Sequence, residues 1–293
     1  MKKALAIIFA STMVLSLAAC GGSSSQKPAE TAAPAAAETE AAAETETAGT
    51  EAAAETETGQ FVFKHGFDLD YPPYSHLDDN GSVSGFDVEL AQAMCEYLGW
   101  GYEAVPFNWD AKDAELNAGS CDCIWSGFTV EGREDDYAWS EAYSNNTQMI
   151  LVAENSGIAT LADLAGKTVG VQTATSAYDL LQDEEGQKAL ADTFSSLEVY
   201  ETYTIAFNDL QAGAIDALAI DATAGDYLIR DTEGYVYLDE PLGSEHYAIG
   251  FRKDDTALRD QVNEALMALV ENGTFAEIGA KYPEIEPFLC LGK

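Results

Sequence analysis

Basic residues are scarce in this chain: 14 lysines and arginines stand against 51 aspartates and glutamates, with only 3 histidines. From residue 59 onward the balance is 11 against 43, once Lys2, Lys3, Lys27 and the eight glutamates before that point are set aside. Nucleic acid and anionic lipid surfaces repel so acidic a body, and nucleic acid is not an expected partner. Cysteine is also sparse, 5 residues with no Cys-x-x-Cys spacing, and His65, His76 and His246 lie far apart. That pattern excludes the usual metal sites, and no cofactor is expected. No serine stands in a Gly-x-Ser-x-Gly elbow. Gly166-Lys167-Thr168 fails as a phosphate loop because Leu161 occupies the place of its first glycine and a strand follows. Cys95, Cys121, Cys123 and Cys290 read as buried free thiols, although an exported chain permits disulfides and no pairing can be assigned.

Long apolar runs are equally few. The one present, Ala4 to Leu17, follows Lys2-Lys3 and leads into Leu17-Ala18-Ala19-Cys20, the grammar of a signal peptide (1–19) that ends in a cysteine. The run is too short for a membrane span, and Gly21-Gly22-Ser23-Ser24-Ser25 follows at once. This ending resembles a bacterial lipobox, which implies a lipid-bearing Cys20 and a membrane anchor of two or more acyl chains. From Cys20 to Thr58 the chain is low-complexity, with Ala-Ala-Ala-Glu-Thr-Glu recurring at Ala35, Ala41 and Ala52. It has no apolar face to bury and reads as a tether, spanning roughly 35 Å as a flexible coil.

After residue 58 the pattern changes. Strand-like runs near Phe61 to Phe67, Tyr102 to Phe107, Cys121 to Trp125, Gln148 to Ala153, Thr168 to Gln172, Leu197 to Thr202, Ala217 to Ile220 and Tyr247 to Arg252 alternate with helical periodicity. The helices are expected at Asp87 to Leu98, Ala111 to Ala118, Ser176 to Gln182, Ile205 to Ala212, Ala222 to Arg230 and Thr256 to Glu271. Such alternation predicts parallel α/β sheets. Two segments share one grammar, Glu115 to Asp122 and Asp209 to Asp216: a helix end, a glycine cap, then an aspartate entering an apolar strand. Two similar lobes explain the echo. In a chain so poor in cations, Arg133 stands out. It lies just past Ser126-Gly127-Phe128-Thr129, the turn after a short buried strand, where open α/β sheets bind ligands. There a guanidinium grips a carboxylate through two hydrogen bonds; the alternative is a surface pair with Glu134, Asp135 or Asp136.

Several segments in order carry a resemblance: Phe67 to Tyr74, Gly85-Phe86-Asp87, Leu161 to Val171, Gly213 to Asp221, and Asn272-Gly273-Thr274-Phe275. Together they resemble the family 3 extracellular solute-binding proteins, which feed amino acids to ABC importers, over essentially all of the chain after the tether. The resemblance implies an α/β fold of two Rossmann-like lobes joined by a two-strand hinge, the type II periplasmic-binding-protein fold. The crossing strands are then expected near Gln148 to Ala153 and Ser244 to Gly250, with lobe 1 at 59–149 plus 247–293 and lobe 2 at 150–246. It implies a free amino acid as ligand, an ABC importer permease as partner, a monomeric state, and a place on the outer face of the cell membrane.

Carried onto matching positions, the resemblance implies that Arg133 clasps the ligand α-carboxylate with backbone N–H groups of Thr175 and Ser176. Asp221 would accept the α-ammonium, joined by the Gly127 carbonyl and the Thr129 hydroxyl. Tyr71 and Trp109 would enclose the ligand side chain, and Asp68 would meet a polar or cationic group on it. Each has a plainer alternative: Asp221 as a helix cap, Tyr71 and Trp109 as packing, Asp68 as a turn former. Asp87 is expected only as a helix cap. Here Val130 is followed directly by Glu131-Gly132-Arg133, without an extra residue usual in the family. Basic or amide amino acids are the favoured ligands, since a second carboxylate in a dry cleft calls for a cation or donors. The other readings are an enzyme on the same scaffold, such as a cyclohexadienyl-type dehydratase, and a surface sensor.

Overall fold

The computed structural model describes residues 59–78 and 80–293. The signal peptide, Cys20 and the tether lie outside them. Two mixed sheets organise the described residues. The first has five strands in the order Gly101–Phe107, Val62–Asp68, Cys123–Ile124, Gly250–Phe251, Ala138–Trp139. The second has Tyr235–Tyr237, Ser144–Ala153, Ala217–Asp221, Thr168–Gln172 and Ser196–Tyr200 in that order, with Gly243–Tyr247 also paired to Ser144–Ala153. Helices Phe86–Leu98 and Thr256–Glu271 pack beside the first sheet, and Ser176–Gln182, Tyr203–Ala212 and Ala222–Ile229 beside the second.

The sheets are not purely parallel, as alternation alone predicted. Val62–Asp68 runs parallel to both neighbours, and Thr168–Gln172 runs parallel to Ala217–Asp221 and Ser196–Tyr200. Gly250–Phe251 and Ser144–Ala153 return antiparallel, because they belong to the two segments that pass between the sheets. Those segments pair along Ser144↔Tyr247 to Gln148↔Gly243. Of the strand expected from Tyr247 to Arg252 only Gly250–Phe251 pairs in the first sheet, while Tyr247 ends Gly243–Tyr247, which pairs in the second; the crossing strand expected near Ser244 to Gly250 thus breaks at Ala248 and Ile249. Likewise only Cys123–Ile124 of the expected run to Trp125 is ladder. Short helices at Lys188–Ala191 and Thr274–Gly279 carry too little periodicity to announce themselves.

Strand Ala217–Asp221 shows how sequence sets burial. Ala217 and Ala219 face one apolar cluster with Val169 and Val171, while Leu218 and Ile220 face another with Tyr203 and Phe207. Both faces are covered, which is why the strand is apolar throughout until Asp221. The repeated grammar also has a structural cause. Asp122 donates its N–H to the Lys64 carbonyl and accepts the Lys64 N–H on its carboxylate at 2.8 Å, and Asp216 does the same with Thr168. Each aspartate fastens the start of the neighbouring parallel strand. Gly213 (φ 71°) caps the second helix and Gly119 (φ 75°) stands one residue past the first cap, both in the left-handed region glycine accepts freely.

Cys95, Cys121 and Cys123 are buried free thiols, and Cys290 is free and half-buried. No described helix is long and apolar enough to cross a membrane, and no described cluster of three His, Cys, Asp or Glu residues is placed to hold a metal.

Candidate functional site

The carboxyl ends of the parallel strands in both sheets converge on one cavity. From the first sheet come Asp68, which ends its strand, and Ser126 to Thr129, which follow Cys123–Ile124; Trp109 opens the turn after Gly101–Phe107. Gln172 ends its strand in the second sheet, Thr175 and Ser176 start the next helix, and Asp221 ends Ala217–Asp221. Asp68, Tyr71, Trp109, Gly127, Thr129, Arg133, Thr175, Ser176 and Asp221, all expected at a site, line this one cavity. Ser126 and Gln172 line it too.

Several contacts draw the two halves together around it. Gln172 donates to Asp68 at 2.9 Å, Trp109 Nε1 to the Ala174 carbonyl at 2.9 Å, and Thr204 to Asp70 at 2.7 Å. Arg133 adds to these by pairing with Asp179 at 2.5 Å, not with its sequence neighbours Glu134, Asp135 or Asp136. Its guanidinium also donates to the Thr129 carbonyl at 3.4 Å and lies 5.5 Å from the Phe128 ring centre. The shortened Glu131-Gly132 spacing therefore still brings Arg133 to the cavity wall. Ala174, whose carbonyl takes Trp109 and also Lys112 at 3.4 Å, has a left-handed φ of 56°. A non-glycine residue held there signals a backbone set by its surroundings.

Asp221 does stand at the cap position of Ala222–Ile229, but its side chain makes no capping bond. Instead Oδ1 accepts from Asn146 at 2.8 Å, Gln148 at 2.5 Å and the Tyr247 hydroxyl at 2.5 Å, and Oδ2 accepts from Tyr203 at 2.6 Å. Burial holds both tyrosines well above their ordinary pKa, so they remain donors. Tyr71 joins the chain through its hydroxyl, 2.8 Å from that of Tyr247. Asp68 both forms the expected turn, accepting the Asp70 N–H at 2.9 Å, and faces the cavity. Burial pushes its carboxyl up to about 6, against the lowering effect of its hydrogen bonds. Thr175 caps its helix by accepting the Tyr178 N–H at 3.3 Å.

Asp87 is not the helix cap; Gly85 holds that position, its φ of 130° and a Cβ 2.2 Å from the Tyr74 carbonyl leaving room for glycine only. Asp87 is fully buried and accepts the Gly127 N–H and the Tyr143 hydroxyl, each at 2.8 Å. It thereby anchors the loop that lines the cavity, and burial pushes its pKa up to about 7. Gly127 in turn has φ 54° and a Cβ there would sit 2.5 Å from the Tyr71 ring, so the loop and the ring approach as closely as they can.

Sequence reasoning missed Ser126, Asn146, Gln148, Gln172, Asp179, Tyr203, Glu245 and Tyr247. One signal was available: Ser144, Asn146 and Gln148 alternate on a strand and are all buried, as are Glu245 and Tyr247 opposite. Polar residues at period two on an inward face mark a network instead of a core.

The comparisons with known proteins agree with this geometry. The profile of the bacterial extracellular solute-binding proteins, family 3, matches residues 63–284. A probable histidine-binding protein of Neisseria gonorrhoeae is 29% identical over 226 residues, 75% of this chain and 82% of its own. An arginine-binding extracellular protein of Bacillus subtilis is 27% identical over 286 residues, 96% of this chain and 98% of its own. A solved ABC uptake transporter substrate-binding protein from Streptococcus pneumoniae with bound histidine superposes with a TM-score of 0.72 at 33% identity, covering 76% of this chain and 92% of that one. The fold is the type II periplasmic-binding-protein fold. The chain belongs to the family of bacterial extracellular solute-binding proteins, family 3.

Proposed function

We propose that this chain captures a basic or amide amino acid between two lobes and passes it to an ABC importer. The lobes are 59–149 plus 247–293 and 150–246, moving about the paired crossing strands. The observation that carries the reading is a single cavity with a guanidinium, Arg133, on one wall and two buried carboxylates, Asp221 and Asp68, on the others. Arg133, with the N–H groups at Thr175 and Ser176, suits an α-carboxylate; Asp221 suits an α-ammonium. Asp68 and Gln172 then face the side chain, where a cation or N–H donors relieve a carboxylate that burial disfavours. Glutamate or aspartate would add like-charge repulsion. The relatives named for histidine and arginine support the same class of ligand. The protein acts as a binder and not as an enzyme, and it works as a lipid-anchored monomer.

A thermal-shift screen of residues 59–293 against the common amino acids tests the reading. A ligand at about a hundred times its dissociation constant adds roughly 2.7 kcal/mol. Stabilisation by histidine, arginine, lysine or glutamine is expected; stabilisation by glutamate alone sinks the assignment of Asp68, and turnover of any ligand sinks the assignment as a binder. The anchor is tested separately by Cys20→Ser, which should release the protein from membranes.

A further inference from the structure

Glu245 stands beside the cavity, is 4% exposed, and has no part in the reading above. It lies on Gly243–Tyr247, one of the two segments that join the halves. Its Oε1 accepts from Asn146 at 2.6 Å and Gln148 at 2.7 Å, the same two amide groups that donate to Asp221. Oε2 accepts the hydroxyl of Thr129 at 3.0 Å and that of Ser176. Thr129 comes from the first-sheet side of the cavity and Ser176 from the second, and both line it.

A hydroxyl has one proton and two lone pairs. With both protons held by Glu245, the Thr129 and Ser176 oxygens have only lone pairs left for anything in the cavity. They can accept from an N–H but cannot donate to a carboxylate. Resting on the reading of this cavity as an amino-acid site, we propose that Glu245 is a positioning residue that fixes the polarity of Thr129 and Ser176, making both hydroxyls acceptors for the ligand α-ammonium. The network extends from Glu245 through the shared amides to Asp221, so the ammonium meets a wall made wholly of acceptors. That wall selects an α-amino acid over the α-hydroxy acid bearing the same side chain.

Glu245→Gln tests this. The Asn146 and Gln148 amides need an acceptor, so the new carbonyl turns to them and the new NH₂ faces Thr129 and Ser176. Their hydroxyls then accept from that NH₂ and point their protons into the cavity. The full folded domain, wild type and variant, is titrated calorimetrically with the tightest binder among the twenty common L-amino acids and L-cystine, and with the 2-hydroxy acid of the same side chain. The amino acid should weaken roughly ten- to a hundredfold and the hydroxy acid less than about threefold. Equal weakening of both ligands, or none of either, overturns the proposal. Should the variant lose its cooperative thermal transition, Ser176→Ala carries the same test through one hydroxyl, with a smaller shift of the ratio in the same direction. A wild type that binds none of the probes overturns the functional reading itself, whereas unchanged discrimination in a variant beside a binding wild type overturns the role of Glu245 alone.

Discussion

The cationic wall of the cavity and its acidic wall are built on opposite principles. The Arg133 side chain is 12% exposed and holds one carboxylate, that of Asp179, itself 58% exposed. Asp221 is 4% exposed and takes four donors from four different residues. A half-wet ion pair contributes little and can be exchanged for a ligand carboxylate at small cost. A buried carboxylate with every oxygen satisfied is pre-organised and does not move. On the proposed reading the ammonium end is thus a fixed template, and the carboxylate end is a clasp that already holds a stand-in.

The largest expected effect comes from removing the clasp. Arg133→Ala should weaken the ligand by roughly 30-fold to several thousandfold, because the ligand carboxylate is left desolvated without a partner, at a cost of about 2 to 5 kcal/mol. Calorimetry showing wild-type affinity would remove Arg133 from the site and abolish the contrast drawn above.

Next is the pH dependence set by Asp68, whose carboxyl stands near 6 against an ordinary 3.8. A cationic side chain favours the charged form, so affinity for it should rise with pH up to about 6 and level off above. Asp68→Asn should flatten that profile and weaken a cationic ligand more than glutamine. The same raised value has a cost without ligand: the contribution of Asp68 to stability is greatest below about pH 4 and is lost as pH rises through 6. Asp87, near 7, extends that loss to neutral pH. Thermal unfolding between pH 4 and 8 measures both, and stability that climbs with pH over this window in the ligand-free protein would contradict them.

The smallest effect should come from Asp179→Asn. Freed of its partner, Arg133 no longer has to exchange one carboxylate for another, and affinity should rise by a few-fold at most, as for an exposed pair. A large loss instead would show that Asp179 holds Arg133 in place and that the cationic wall is as fixed as the acidic one.

Part of the fold is legible in the sequence. The strands Thr168–Gln172 and Ala217–Asp221 and the helices Ser176–Gln182 and Thr256–Glu271 could be read nearly to the residue, since each has a clear period and a clear stop. Split segments could not. Tyr247 to Arg252 looks like one strand because Tyr247 to Phe251 carry no charged side chain, yet the chain passes from one sheet to the other at Ala248 and Ile249. Site residues at strand ends and after glycine turns were legible for the same reason: ligands gather where parallel strands stop. Asn146, Gln148 and Glu245 were legible only as a period-two alternation of polar residues, because a strand whose inward face is polar looks in sequence like one whose polar face meets water.

Charge balance, element periodicity, the two aspartate-led strand starts and the placing of Asp68, Arg133 and Asp221 at strand ends or turns all follow from the sequence, because each depends on neighbours within a few positions. Which carboxylate Arg133 meets, which donors hold Asp221, and which carboxylate the Thr129 and Ser176 hydroxyls reach were decided only by tertiary structure. Thr129 and Glu245 are 116 residues apart and Asn146 and Glu245 99 apart. Only folding both sheets about the crossing strands brings such groups within hydrogen-bond reach, and it is there that burial turns ordinary polar residues into a site.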